Sequence, residues 1–233
     1  EEKIIAYLMD FARKQGLEAK KDEAGNILIK KPATQGKENL KTVILQSHID
    51  MVCEKNKDVE HNFDTDPIET YIDGEWLRAK GTTLGADNGI GVATQLAVLT
   101  DNTLKHGPIE CLFTVDEETG LTGAFALKEG FMDGDILINL DSEDEGELFI
   151  GCAGGANTTA QFAYTEIDAP QDYFFFKVAI KGLTGGHSGD DINKGRGNAN
   201  KILNRFLMQS FERYDLCLCQ TNSNVDSQRW IQW

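Results

Sequence analysis

The 233-residue sequence predicts an α/β fold built on a mostly parallel sheet with flanking helices. Three observations lead there. The runs TVILQ (42–46), IECLFTV (109–115) and DILINL (135–140) are apolar and rich in β-branched residues, the pattern of buried strands. Segments with helical spacing lie between them, so successive strands need crossover connections. Acids, histidine and glycine cluster at the ends of these runs, where an open α/β sheet keeps its ligands.

The elements follow in order. Residues 2–15 place Ile4, Ile5, Leu8, Phe11 and Ala12 at helical spacing, and Gly16 ends that helix. Two short strands, near 17–21 and 27–30, flank the turn Glu23-Ala24-Gly25-Asn26. Residues 31–41 are polar and read as a surface loop before the 42–46 strand. Asp73-Gly74 centres a hairpin over 71–79. Residues 90–99 are apolar and Ala-rich, which predicts a buried helix. The strands 109–115 and 135–140 follow, both expected in the core, with a helix near 122–129 between them. The character changes at Cys152-Ala153-Gly154-Gly155. Strand patterns at 156–164 and 173–180, a Gly-rich loop and a helix near 198–211 then predict the start of an α+β domain. The division expected is therefore 1–154 and 155–233. The stretch 221–233 has no periodicity that places it.

Composition excludes several classes. Hydrophobic residues are 40% and charged residues 26%, ordinary for a soluble globular chain. A formal net charge of −15 argues against a nucleic-acid partner, because a phosphate backbone needs a basic face. It fits solubility and carboxylates that hold cations. No apolar run is long enough to span a bilayer, so no membrane partner is expected. The opening Glu1-Glu2-Lys3 leads straight into an amphipathic pattern, with no signal peptide visible. The five cysteines are odd in number and form no Cys-x-x-Cys pair, which points to a reducing cytoplasm.

Five clusters carry chemistry. His48 and Asp50 stand two apart on extended chain after TVILQ, so both face one side. The imidazole can bind a metal while Asp50 orients it; the pair also reads as a surface His–Asp contact. Asp87 lies among Gly81, Gly85, Gly89 and Gly91 at a helix start. Such glycine loops often bind phosphate, but a carboxylate repels it, and an ionised Asp at a helix N-terminus suits one or two metals. Asp116-Glu117-Glu118 ends the 109–115 strand. It reads either as a solvated acidic turn or as a functional pair in which neighbouring side chains cannot aim at one point. In the second case one acid ligates while the other is a general base. Asp141 ends DILINL and reads as a cap or a ligand. His187 sits between glycines in Gly185-Gly186-His187-Ser188-Gly189, a mobile position that also suits an ordinary loop His. Together His48, Asp87, Glu118 and Asp141 are ligands suited to Zn²⁺, Mn²⁺ or Co²⁺. Carboxylates shared between ions suit a two-metal site, with Glu117 taking the proton of a metal-activated water that attacks a carbonyl.

These clusters, in this order, resemble the di-zinc aminopeptidase/carboxypeptidase superfamily, and within it the aminoacyl-histidine (Xaa-His) dipeptidases. The residues that carry the likeness are SHIDMVCEKN (47–56), DGEWLRAKGTTLGADNGIGVA (73–93), VDEETGLTGA (115–124), NLDSEDEGELFIGCAGG (139–155) and GGHSGDDINKGRGNANK (185–201). The resemblance implies a catalytic α/β domain, here 1–154, interrupted by an α+β lid that begins in 155–233 and serves dimerisation. It implies two Zn²⁺ and hydrolysis of Xaa-His, carnosine-like dipeptides. His48 then binds one zinc, Asp87 bridges, Glu118 binds one ion and Asp141 the other. Asp50 supports His48 and catalysis, Glu117 is the base, and His187 reaches the substrate's carbonyl oxygen or the tetrahedral intermediate from the lid. A homodimer through the lid is the implied assembly. The family takes one more zinc-binding His after the lid, and the four here are His48, His61, His106 and His187. The chain is thus expected to correspond to the N-terminal part of a relative, with 221–233 departing from the pattern. Two alternatives stay open: another di-zinc amidohydrolase such as a tripeptidase or deacetylase, and an inactive portion that only binds metal or dimerises.

Overall fold

A computed structural model describes residues 1–142, 144, 146–152, 154, 158–184, 186–187, 193–221 and 230–231; for 186, 187, 230 and 231 it describes the backbone alone. The chain divides into two compact units, Glu1–Leu148 and Phe149–Trp233.

The first unit opens with α1 (Glu2–Gln15), which buries Leu8 and Ala12 and ends at Gly16 in the left-handed conformation. Strands β1 (Glu18–Lys21), β2 (Ile27–Lys31) and β3 (Val43–His48) follow. The hairpin of β4 (Thr70–Asp73) and β5 (Trp76–Ala79) pairs Asp73 with Trp76, which leaves Gly74-Glu75 as the turn. Next come α2 (Ala86–Thr100), β6 (Ile109–Thr114), α3 (Thr122–Ala126) and β7 (Ile136–Asn139).

Five strands form one sheet in the order β1-β2-β6-β3-β7. β3 runs parallel to β6 on one side and to β7 on the other, while β1–β2 and β2–β6 are antiparallel. Alternation divides the side chains between two faces. Ile27, Ile29, Cys111 and Phe113 pack with Leu8 and Ala12 of α1 and Leu99 of α2. Leu28, Ile44 and Leu112 point the other way, against Leu127, Phe131 and Met132. The TVILQ strand is therefore paired on both sides and parallel to both neighbours, as its apolar run predicts.

Three expectations need correcting, two about burial and one about length. DILINL is an edge strand of the described sheet: Ile136, Leu137 and Ile138 are 43–50% exposed. The reason is pairing, since β7 is joined to β3 on one side and ends the strand order there. Helix α2 is half-buried, not buried all round. Asn88, Gly91, Gln95 and Leu99 form its inner stripe, and Ile90 faces out at 69% exposure. The third helix is shorter than expected, ending at Ala126.

The second unit contains β8 (Gly186–His187), α4 (Ala199–Arg213) and β9 (Trp230–Ile231), with β8 and β9 antiparallel. Asn198 caps α4 by accepting from the Lys201 N–H at 2.8 Å. The strand patterns expected at 156–164 and 173–180 do not become strands in the described part, 158–164 and 173–180. Apolar alternation says which side chains share a face, but a strand also needs a hydrogen-bonded neighbour. Phe162, Tyr164 and Phe174 remain about 80% exposed.

Candidate metal centre

The C-terminal ends of the parallel strands β3, β6 and β7 converge, and each delivers a polar side chain. His48 is the last residue of β3, Asp116–Glu118 follow β6, and Asp141 follows β7. The N-terminal turn of α2 brings Asp87 to the same point. Gly85, with φ +77, precedes it in a conformation that L side chains rarely adopt, so the turn favours glycine there. The Asp87–Asn88 peptide is cis, a feature with no signature in the sequence.

His48 is the hub and is buried, 1% exposed. Its Nε2 lies 2.9 Å from Oδ1 of Asp87 and 3.5 Å from Oδ1 of Asp141. Its Nδ1 lies 3.0 Å from the Asp50 carbonyl oxygen and 3.3 Å from Asp50 Oδ1. Burial by itself would pull the imidazolium's pKa down. The carboxylates of Asp141, Asp50 and Asp87 outweigh it and push the ring up to about 12. The proton is thus held by a cage of acids. A cation at Nε2 answers the same field, and ligation by neutral imidazole releases the proton.

Asp50 does more than face the ring. Its Oδ1 accepts the Glu117 N–H at 3.0 Å and its Oδ2 accepts the Glu118 N–H at 2.9 Å. Burial would raise the Asp50 carboxyl, but the His48 hydrogen bond and these two N–H donors hold it below the usual carboxylate range. One carboxylate therefore locks the imidazole and the acidic turn together.

That turn corrects a sequence expectation. Extended geometry would send Glu117 and Glu118 to opposite sides. Asp116 instead adopts φ 53 and takes the chain out of the strand. Ligand atoms of His48, Glu117 and Glu118 then lie within 4.8 Å of one another, and all three residues are buried. Asp116 is not part of this group. Its carboxylate accepts hydrogen bonds from the hydroxyls of Thr119 and Thr122, which brace the turn. Glu117 and Asp141 also line a cavity of about 180 Å³ walled by Leu112, Leu127 and Met132.

A second group, His48, Asp87 and Asp141, has ligand atoms within the same 4.8 Å. One imidazole nitrogen with several carboxylate oxygens is a donor set that fits Zn²⁺ or Mn²⁺. Five of the seven sequence-predicted site residues thus meet directly around two overlapping groups: His48, Asp87, Glu117, Glu118 and Asp141. Asp50 stands behind them. His187 belongs to the second unit, and its side chain lies outside the described residues. Sequence reasoning missed Asn88, which donates from Nδ2 to Oδ1 of Asp141 at 2.7 Å. The only local signal was an amide beside the predicted ligand Asp87.

Comparison with known proteins follows the same lines. Residues 44–196 match the model of peptidase family M20/M25/M40. The cytosol non-specific dipeptidase of Escherichia coli (strain K12) is 52% identical over 225 residues, which is 97% of this chain and 46% of that protein. The crystal structure of aminoacylhistidine dipeptidase from Vibrio alginolyticus aligns with a TM-score of 0.65 at 50% identity, covering 91% of this chain and 44% of that one. A tripeptidase from Staphylococcus aureus subsp. aureus Mu50 aligns with a TM-score of 0.51 at 26% identity, over 61% of this chain and 38% of that one. The chain spans less than half the length of each of these relatives.

Proposed function

This chain belongs to peptidase family M20/M25/M40, and from that premise we propose that it serves a metal-dependent dipeptidase that cleaves Xaa-His, carnosine-like dipeptides. The observation that carries the reading is the convergence of His48, Asp141, Glu117 and Glu118, from the ends of three parallel strands, with Asp87 from the start of α2. The names of the relatives support the substrate length. The two relatives above that reach 50% identity are called dipeptidases, and the tripeptidase is at 26%.

His48, Asp87 and Asp141 are assigned to one ion. Asp87 and Glu118 are assigned to a second, with two Zn²⁺, or Co²⁺ or Mn²⁺, as the complement. When bound, such ions polarise the scissile carbonyl and lower the pKa of water. Glu117 is the general base: it takes a proton from the attacking water and returns it to the leaving amine. Asp50 holds His48 by Nδ1 and fixes the backbone that presents Glu117 and Glu118. His187, in the 155–233 lid, is assigned to the substrate's carbonyl oxygen. Residues 1–154 are the catalytic portion, the lid is the surface for a homodimer, and the E. coli relative's name supports a cytoplasmic setting.

Substituting Glu117→Gln tests this. With zinc and β-alanyl-histidine, kcat should fall about 10²–10⁴-fold, the usual contribution of general acid–base catalysis, while zinc uptake stays. A variant that keeps most of its activity would show that the base lies elsewhere.

A further inference from the structure

We propose that Asn88 is a positioning residue that sets the orientation of Asp141 toward the ion, an inference that rests on the metal-site reading above. Asn88 is 3% exposed, on the inner stripe of α2. Both ends of its amide are used. Oδ1 accepts the Gly91 N–H at 3.1 Å, and Nδ2 donates to Asp141 Oδ1 at 2.7 Å. The orientation follows from chemistry: a backbone N–H only donates, so the amide oxygen must face Gly91 and the NH₂ must face the carboxylate.

The surroundings leave this amide little choice. A Cβ at Gly91 would collide with the Asn88 side chain and come 2.9 Å from Cβ of Ser47 on β3. Glycine at 91 thus gives the amide its place where α2 meets the sheet. Asp141 is held at a second point. Its N–H donates to Oδ1 of Asn139 at 2.9 Å, and Asn139 Nδ2 donates to Gln46 Oε1 at 2.5 Å. Gln46 Nε2 in turn donates to Thr114 Oγ1 at 3.1 Å. A ladder of polar side chains across β7, β3 and β6 therefore fixes the backbone of Asp141, and Asn88 fixes its carboxylate. Because Asn88 adjoins Asp87 in the chain, one peptide links the ligand from α2 to the ligand from β7. The donated N–H also offsets the repulsion between these two carboxylates.

Two substitutions separate positioning from folding. Asn88→Ser keeps a hydroxyl that can accept from Gly91 but cannot reach Asp141; Asn88→Ala loses both bonds. Zinc affinity of the 233-residue chain, measured by competition with a chromophoric chelator, should fall about 10–100-fold in both, the range for groups that hold a ligand from behind. The melting temperature of the zinc-free Asn88→Ser chain should stay at the wild-type value. In an Asp141→Ala background, adding Asn88→Ser should cost no further affinity, because the acceptor it acts through is gone; a purely structural Asn88 would cost affinity in both backgrounds and overturn the proposal. Variants that bind zinc as tightly as the wild type would overturn it alone. A wild-type chain that binds no zinc would overturn it together with the metal-site reading.

Discussion

The two units of this chain treat their apolar residues in opposite ways. In Glu1–Leu148, Leu8, Ile27, Ile29, Cys111 and Phe113 are fully buried around one sheet. In Phe149–Trp233, α4 buries no residue, and Phe162, Phe174 and Phe175 are 74–81% exposed. The candidate metal centre stands on the first unit, where strands β3, β6 and β7 are held in register and can place carboxylates to a fraction of an ångström. Chemistry that depends on several side chains meeting needs such a support. The described part of the second unit leaves its aromatic side chains exposed instead.

Truncating an aromatic side chain in each unit should show this contrast most strongly. Phe113→Ala should destabilise the first unit by about 3–5 kcal/mol, the cost of emptying a packed aromatic site. Phe174→Ala should change stability by less than about 0.5 kcal/mol. Urea denaturation followed by circular dichroism checks both. Equal losses would mean that the second unit has a core of its own.

A smaller effect sharpens the picture of the first unit. Lys30 bridges Glu110 at 3.0 Å and Asp133 at 2.6 Å. Its hydrogen bond to Asp133 raises the lysine pKa and lowers that of Asp133 from 3.8. The Asp133 contribution is therefore present above pH 3.8 and fades as pH falls through the lowered folded value. The Lys30 contribution is present below 10.5 and fades as pH rises through the raised one. Lys30→Met should flatten both flanks of a melting-temperature profile and leave the second unit's aromatic surface unchanged. A profile identical to wild type would show that the bridge adds nothing.

Much of the site was legible because its signals are local. His48, Asp87, the Glu117-Glu118 pair and Asp141 each follow an apolar run or open a helix, and strand ends in a parallel sheet meet on one side. What stayed hidden depends on partners distant in sequence. Asp50 reads as a companion of His48, yet its grip on the N–H groups of Glu117 and Glu118 arises only when β3 and β6 pair. Asn88 becomes meaningful only once Asp141 is beside it. Asp116 looks like a third acid, but its positive φ and two threonine hydroxyls make it the brace of the turn. The patterns at 158–164 and 173–180 promised strands because periodicity reports faces and is silent about neighbours.

The central claim is that the acids around His48 hold metal, with Asp87 shared between ions. Equilibrium dialysis of zinc against the wild-type chain and Asp87→Asn tests it most directly. Asp87 is half-exposed, 44% at the side chain, and Asn is nearly isosteric, so the fold should tolerate the change. One tight ion is expected on the wild type, held by His48, Asp87 and Asp141, with a weaker second ion on Asp87 and Glu118, and both should be lost in the variant. Unchanged zinc binding in Asp87→Asn would contradict it.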